Sequence, residues 1–190
     1  SGDAQHFIDE LYRRWTAQNI CGTAVPAVEA RSSGSNTNPD EGAVFLSYAS
    51  EDRHQAHRLK ETLEAEHIEV FFDKDDLKAG EDFETRIRKC IGSCSVFVPV
   101  ISKNTLTGRR RFFRIEWNEA IGEDLKSSPV QTFIVPVVID DTEPGEPAVP
   151  EKLRKLHWHH LPGGQTSQEF VNRIKQLYRQ YQKLYAGAVQ

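Results

Sequence analysis

The amino-acid sequence predicts an α/β fold in which five strands form a parallel sheet. The first observation is a series of short apolar runs without polar alternation, at residues 43–46, 70–72, 95–101 and 132–139. Such runs are typical of strands buried on both faces of a parallel sheet. The second is that apolar residues recur at helical spacing between these runs, and strands that alternate with helices form parallel sheets with right-handed crossovers. A short fifth strand is predicted around residues 157–161.

The first β-α-β unit spans residues 43–76. Its first strand ends at small and polar residues, among which we expect Ser50 or Asp52 to cap the following helix. Gln55 lies three residues after Asp52, as in a capping box. The second strand ends in an acidic loop. These loops open at the carboxyl ends of the strands, where ligands bind in open α/β sheets.

The later elements follow from apolar spacing. A second helix is predicted from residue 81 to about residue 91, and a polar, basic loop covers residues 102–111. A third helix carries a buried stripe of Phe113, Trp117, Ala120 and Ile121, and we expect it to end near Gly122. A long closing helix runs over residues 170–184, capped by Thr166 or Ser167.

Two prolines lie inside predicted strands, Pro99 in the third and Pro136 in the fourth. Proline removes a donor from the ladder and normally belongs at sheet edges or bulges. We therefore expect each proline to mark the point where its strand leaves the sheet.

The chain is organised as one domain with an N-terminal extension. Apolar spacing predicts an amphipathic helix over residues 3–20, and residues 30–42 have the composition of a flexible linker. We therefore divide the chain into 1–41 and a domain at 42–190. The helix either packs on this domain or is the tail of an upstream domain. The start at Ser-Gly and the lack of methionine indicate a piece of a longer protein.

Composition and charge argue against several classes of protein. A formal net charge of −4 argues against nucleic acid as the main partner. No apolar run approaches the length of a membrane span. The cysteines, Cys21, Cys90 and Cys94, are odd in number and lack the spacing of a disulfide framework. We expect reduced thiols and a cytoplasmic location, with Cys90 and Cys94 buried as small hydrophobic side chains.

Several segments resemble the signature boxes of TIR domains, of the bacterial type. Phe-Leu-Ser-Tyr-Ala-Ser-Glu-Asp at 45–52 resembles the first box. Further segments resemble the second strand and its loop, the third strand, the helix that carries the functional glutamate, and the fourth strand. They lie at 70–80, 97–102, 111–117 and 133–140. Each match is weak alone, but together they agree in order and spacing over about residues 42–185.

The resemblance implies a flavodoxin-like three-layer sandwich, with a five-stranded parallel sheet of order 2-1-3-4-5 and helices on both faces. Many bacterial TIR domains cleave the nicotinamide–ribose bond of NAD+ to give nicotinamide and ADP-ribose or a cyclic ADP-ribose. Others work as association modules, here through the loop at residues 73–80. The resemblance therefore implies an effector of bacterial defence or signalling, with NAD+ as a substrate rather than a cofactor. Its partners are NAD+ and other TIR domains, whose assembly is often needed for activity.

One carboxylate suffices for this reaction, because nicotinamide leaves without a general acid and the site need only stabilise an oxocarbenium-like ribose. The third helix offers Glu116 and Glu119. Family members commonly have an aromatic residue four positions before the catalytic glutamate, and Phe112 stands there relative to Glu116. At about 100° per residue, Glu116 lies about 60° from Phe113, on the border of the buried stripe. We take Glu116 as catalytic, against the alternative of a solvated helix residue, and expect Glu119 to pair with an arginine.

Eight further residues are candidates for binding NAD+: Ser47, Tyr48, Ala49, Phe72, Asp73, Gly80, Phe83 and Phe112. The loop that starts at Ser47 lies beside a helix N-terminus, whose N–H groups can face a diphosphate. Its alternative role is plain helix capping. The phosphate charge would be met by backbone groups, by Lys74 or Lys78, or by the arginines at 109–111.

The aromatic and loop candidates each have a structural alternative. Phe72 or Phe83 would stack on adenine or pack in the core. Asp73 would bind a ribose hydroxyl or cap its turn, and Gly80 supplies backbone freedom to the loop.

No metal site is expected. The carboxylates at 73–76 lack the rest of a calcium loop. His157, His159 and His160 flank Trp158 on a predicted edge strand, where exposed histidines are the ordinary case. The chain has no Gly-rich dinucleotide fingerprint, which argues against NAD+ as a redox cofactor.

Overall fold

The structure, a computed structural model, describes residues 42–72, 83–107, 112–126 and 133–185, without the side chains of residues 83, 84, 112, 125, 126 and 185. The N-terminal helix and linker predicted within 1–41 lie outside the described residues. So do the candidate site residues Asp73 and Gly80 and the docking loop that contains them.

Five strands form one sheet of order β2-β1-β3-β4-β5, and every paired strand runs parallel to its neighbour. The strands are β1 Val44–Ser47, β2 Val70–Phe71, β3 Val96–Ile101, β4 Val137–Val138 and β5 His159–His160. The central strands β1 and β3 are buried along their whole length, as expected of strands covered on both faces. The predicted five-stranded parallel sheet and its order are confirmed.

The described helices alternate with these strands. They are α1 Arg53–Ala65, α2 Phe83–Ser93, α3 Lys103–Leu106, α4 Phe112–Lys126, α5 Glu151–Arg154 and α6 Gln168–Tyr185. Single 3-10 turns occupy Ser50–Asp52 and Pro162–Gly164. Among the described residues, no helix is both long enough and apolar enough to cross a membrane.

The core has two halves because successive strand side chains point to opposite faces. Phe45 and Phe97 pack with Phe113 and Trp117 in one half, which we call the α2–α4 face. The other half, the α1–α6 face, buries these side chains among others: Val44, Leu46, Leu59, Leu63, Phe170 and Ile174. Helices on both faces of one sheet confirm the three-layer flavodoxin-like sandwich. Cys90 and Cys94 are buried in the α2–α4 half, as predicted.

Pro99 and Pro136 lie opposite one another on the neighbouring segments that form β3 and lead into β4. Pro99 lies within β3, in register with Ser47 of β1, so the expectation that its strand leaves the sheet there is wrong. Strands β3 and β4 pair from Val100 and Val137 onward, with an isolated bridge two residues before the prolines. Because proline has no N–H, the ladder is interrupted at the proline pair and then resumes. Strand β4 is therefore shorter than the predicted run at 132–139.

The predicted cap of α1 is wrong. Asp52 is the residue before α1, but its side chain makes no capping bond, and no capping box forms with Gln55. The hydroxyl of Ser50 donates to Glu51 Oε2 at 3.1 Å instead. The closing helix α6 does have a predicted cap, since Ser167 Oγ accepts from the N–H of Phe170 at 3.2 Å.

Two other boundaries differ from the sequence predictions. Helix α4 continues past Gly122 to Lys126. A glycine inside a helix costs only about 1 kcal/mol relative to alanine, and the packing of the helix on the sheet outweighs that cost. The basic loop predicted at 102–111 contains the short helix α3, which begins with a capping box between Ser102 and Thr105.

Candidate functional site

The carboxylate of Glu116 lies at the carboxyl end of strand β1. Ser47 is the last residue of β1, and its hydroxyl donates a hydrogen bond of 2.5 Å to Glu116 Oε2. Glu116 reaches this position because Phe113 and Trp117, on either side of it along α4, are buried against the sheet. Two residues 69 positions apart in sequence are thus joined at the edge of the sheet where ligands bind in this type of fold.

Burial distinguishes the two candidate glutamates of α4, Glu116 and Glu119. Glu116 is only 2% exposed, so the alternative of a solvated helix residue is wrong. A polar group removed from water is costly unless it is hydrogen-bonded, and Ser47 donates one hydrogen bond to Glu116. Glu119 is half-buried, and its Oε2 lies 3.8 Å from Arg88 Nε. This contact confirms the expected pairing with an arginine.

The loop after β1 carries two further candidates. Ala49 is buried, and its carbonyl accepts from the N–H of Asp52 at 2.8 Å, which closes the 3-10 turn. Tyr48 is half-buried, and its ring stacks on Phe72 with 5.0 Å between the centroids. The two residues adjoin Ser47, so three of the candidate NAD+ contacts form one continuous segment. Their role in binding a diphosphate stays a prediction.

Phe72 packs on the other face of the sheet from the one covered by α4. Besides Tyr48, it meets the edge of the His57 ring at 5.6 Å, and Lys60 Nζ lies 5.6 Å from its ring centroid. It belongs to the α1–α6 half of the core. The described contacts of Phe72 are therefore packing contacts, and its stacking on adenine stays a prediction.

Phe83 and Phe112 are the first residues of α2 and α4, and the structure does not describe their side chains. Asp73 and Gly80 lie outside it altogether, as do the candidate phosphate contacts Lys74, Lys78 and the arginines at 109–111. Of the nine predicted site residues, the structure joins Glu116 to Ser47, which Tyr48 and Ala49 follow in the chain.

A buried polar cluster that the sequence reading missed lies beside this segment. The carboxylate of Asp52 is 2% exposed and accepts from Ser102 Oγ at 2.5 Å and from Asn104 Nδ2 at 2.7 Å. Burial raises the pKa of Asp52, the hydrogen bonds from Ser102 and Asn104 oppose that rise, and the charge of Asp140 adds to it. No local pattern pointed to a bond across 50 positions, because an aspartate before a helix also matches a cap.

A second aspartate extends this cluster to the loop after β4. Asp140 Oδ2 accepts from the N–H of Lys103 at 2.7 Å, and its Oδ1 accepts from the N–H of Thr142 at 3.0 Å. Lys103 Nζ also contacts Asp141 Oδ1 at 2.5 Å. The loops that follow β1, β3 and β4 are therefore tied to one another at the end of the sheet where Glu116 lies.

The sequence profile of the TIR-domain family matches residues 44–178, which is more than half of the chain. This chain belongs to the TIR-domain family. The matched range begins at β1 and ends within α6, so it includes Ser47, Glu116 and the whole five-stranded sheet. The resemblance to TIR domains stated from the sequence is confirmed. None of the curated proteins matches the chain.

Solved TIR structures share the architecture. The TIR domain of the Toll-related receptor TRR-2 from Hydra magnipapillata is 19% identical, covering 73% of this chain and 97% of that one, with a TM-score of 0.51. A TIR-STING receptor from C. gigas, solved with 2′,3′-cGAMP, is also 19% identical, with a TM-score of 0.54. That alignment covers 77% of this chain but only 42% of the receptor.

The TIR domains of the activated Roq1 resistosome, which recognises the effector XopQ, are 28% identical over 54% of this chain and 60% of that one, with a TM-score of 0.47. For the Hydra and C. gigas proteins, the low identity means that the likeness shows the fold alone. Any activity of this TIR domain must therefore be argued from its own residues.

Proposed function

We propose that this TIR domain cleaves the nicotinamide–ribose bond of NAD+, giving nicotinamide and ADP-ribose or a cyclic ADP-ribose, with Glu116 as the catalytic carboxylate. The observation that carries the proposal is the hydrogen bond from Ser47 Oγ to Glu116 Oε2. It holds a carboxylate at the carboxyl end of β1, and ligands of open α/β sheets bind at that end. Membership of the TIR family supports the same reading, since some members hydrolyse NAD+.

The chemistry needs one negative charge. When the bond between ribose C1′ and nicotinamide breaks, its electron pair stays on the pyridine nitrogen, which becomes neutral. Positive charge then spreads over C1′ and the ring oxygen of the ribose, and Glu116 stabilises that charge. Water that adds at C1′ and loses a proton gives ADP-ribose, whereas attack at C1′ by the adenine of the same molecule gives a cyclic product.

Burial makes this carboxylate effective. Electrostatic attraction is stronger where water is excluded, and a carboxylate already fixed in place costs little reorganisation during the reaction. The hydroxyl of Ser47 fixes the orientation of Glu116, so Ser47 acts as a positioning residue. Around this pair, NAD+ would contact the remaining candidates: Tyr48, Ala49, Phe72, Asp73, Gly80, Phe83 and Phe112.

One observation favours a second function, a non-catalytic module that acts by association with other TIR domains. With 2% exposure, Glu116 is closed off from solvent, as a purely structural carboxylate would be. In the enzymatic proposal, assembly with neighbouring TIR domains opens or completes the site, and activity then rises with protein concentration. Either function suits a cytoplasmic effector of bacterial defence or signalling.

The deciding experiment measures NAD+ loss and nicotinamide release by the purified chain, at low and high protein concentration and under forced clustering. Glu116→Gln removes the charge but keeps the size of the side chain and an oxygen that can accept from Ser47. Loss of a stabilising group of this kind lowers turnover by about a hundredfold or more. Glu119→Gln, on the same helix but paired with Arg88, is the matched control and should keep normal turnover.

The two functions give different results in this assay. Turnover that depends on Glu116 and survives Glu119→Gln supports the enzyme. Absence of turnover by the wild-type chain at high concentration and under clustering supports the association module. Equal turnover by the wild-type chain and Glu116→Gln would remove Glu116 from the chemistry.

A further inference from the structure

Three side chains with metal-binding atoms, unused by the proposed function, lie together beside the edge strand β5. One ligand atom from each of His157, His159 and Glu169 lies within 4.8 Å of the other two. His157 and Glu169 are exposed and His159 is half-buried, so a dissolved ion can reach them. Glu169 follows His157 by twelve positions and His159 by ten, on a different element, so the run of histidines does not by itself point to it.

We propose that His157, His159 and Glu169 form a binding site for a divalent transition metal of the zinc class. Imidazole nitrogen and carboxylate oxygen are ligands that zinc takes in proteins, at about 2.0–2.2 Å. Ligand atoms of a tetrahedral zinc site lie about 3.4 Å apart at such bond lengths. The exposed side chains of His157 and Glu169 can close the remaining distance by rotation. Three protein ligands leave the fourth position to water.

The backbone aligns the two histidines before any metal arrives. His157 and Trp158 directly precede β5, and the rings of His157 and His159 meet edge to face with 5.4 Å between their centroids. Trp158 is buried, and its Nε1 donates to the carbonyl of Leu153 at 2.8 Å. The N–H of His159 donates to the carbonyl of Pro136 at 3.0 Å. With the strand anchored in these two ways, little ordering of the chain remains to oppose binding.

The third ligand is anchored by the start of α6. Glu169 lies in the first turn of that helix. The next residue, Phe170, is fully buried, and its N–H is capped by Ser167. The ring of Phe170 meets the ring of His159, with 5.4 Å between the centroids. Contact between these neighbours holds Glu169 and His159 at a fixed separation, which distinguishes the three side chains from a chance grouping on a mobile surface.

The surrounding charges set the strength of binding. Glu169 brings a negative charge that acts on His159 in favour of a cation. The positive charge of Arg173, one turn further along α6, acts on His159 in the opposite sense. The charge of Arg173 should therefore weaken the binding of zinc. The inference does not depend on NAD+ cleavage.

The test is isothermal titration calorimetry of the full chain with zinc chloride at neutral pH, in a buffer that does not bind zinc. The wild-type chain should bind one ion per molecule. His157→Gln, His159→Gln and Glu169→Gln should each weaken binding about tenfold or more, as loss of a ligand or its support commonly does. His160→Gln is the matched control, since this exposed histidine points to the other side of the same strand. Arg173→Gln should tighten binding.

Proton NMR of the wild-type chain gives a second measurement that needs no variant. Addition of zinc should shift the imidazole resonances of His157 and His159 and leave that of His160 in place. Failure of the wild-type chain to bind zinc at millimolar concentration would overturn the proposal. So would an unchanged affinity in His157→Gln and His159→Gln, because zinc would then bind elsewhere.

Discussion

Ser47 and Glu116 are linked by a hydrogen bond of 2.5 Å between the end of β1 and the second turn of α4. Both side chains are almost fully buried, at 1% and 2% exposure. A hydrogen bond to a charged group contributes more than one between neutral groups, typically about 1.5–3 kcal/mol. This contact therefore stabilises the packing of α4 on the sheet while it fixes the orientation of the carboxylate.

Ser47→Ala should lower both stability and NAD+ turnover. Removal of the hydroxyl leaves a buried carboxylate with one donor fewer, so the free energy of unfolding should fall by about 1.5–3 kcal/mol. Turnover should fall about tenfold or more, since each 1.4 kcal/mol lost from transition-state stabilisation is a factor of ten. Urea unfolding and the NAD+ assay measure the two effects. Ser50→Ala, whose hydroxyl is exposed and donates to Glu51, should change neither.

A double-mutant cycle separates the contact from general effects of a cavity. If the bond to Glu116 causes the loss, Ser47→Ala should cost clearly less stability in a Glu116→Gln background than in the wild-type chain. Equal costs in the two backgrounds would mean that the hydroxyl does not act through the carboxylate.

Asp52 should give stability a distinct pH dependence. Burial raises its pKa above 3.8 in the folded chain. Between 3.8 and the raised pKa the folded state binds more protons than the unfolded state, so the contribution of Asp52 to stability falls as pH rises. Above the folded pKa the cost is fully present. Asp52→Asn cannot ionise, so its stability relative to wild type should increase from about pH 3.8 upward.

The comparison with Asp52→Asn isolates this one group. Glu66, Asp141 and Glu151 have pKa values lowered by their lysine partners, so their contributions change with pH in the opposite sense. They are the same in both proteins and cancel in the difference. Asparagine also pairs less well with Ser102 and Asn104, which adds an offset that does not vary with pH. A difference that is constant from pH 3.8 to neutrality would contradict the assignment.

The sheet was predictable because burial on both faces leaves a direct mark on the sequence. Strand β3 is buried at all six positions, and its apolar run is visible without any structure. The interruption at Pro99 and Pro136 could not be predicted from the sequence, because the effect of a proline on strand pairing depends on the strand opposite it. Here strands β3 and β4 are paired on both sides of the two prolines, at Phe97 and Ile134 before them and from Val100 and Val137 after them.

The candidate site was predictable only in part. The resemblance to TIR domains pointed to Glu116 through Phe112, and helix geometry placed this glutamate at the border of the buried stripe of α4. Ser47 was a candidate for its place at the end of β1, but its bond to Glu116 depends on tertiary packing. The prediction that Asp52 caps α1 was wrong for the same reason. Its carboxylate accepts hydrogen bonds from Ser102 and Asn104, about 50 positions away, instead of capping the helix.

Gly164→Ala should destabilise the fold far more than Gly163→Ala. Both glycines have positive φ, at 62° for Gly163 and 78° for Gly164, and such a conformation costs a residue with a side chain about 1–2 kcal/mol. A Cβ on Gly163 meets nothing within 4 Å, whereas one on Gly164 would lie 2.4 Å from the backbone oxygen of Gln55. Relief of that overlap requires the turn to move away from α1, with loss of packing on the α1–α6 face.

Urea unfolding should therefore show a loss of about 1–2 kcal/mol for Gly163→Ala and at least twice as much for Gly164→Ala. Equal losses would mean that the turn does not press against α1 in solution.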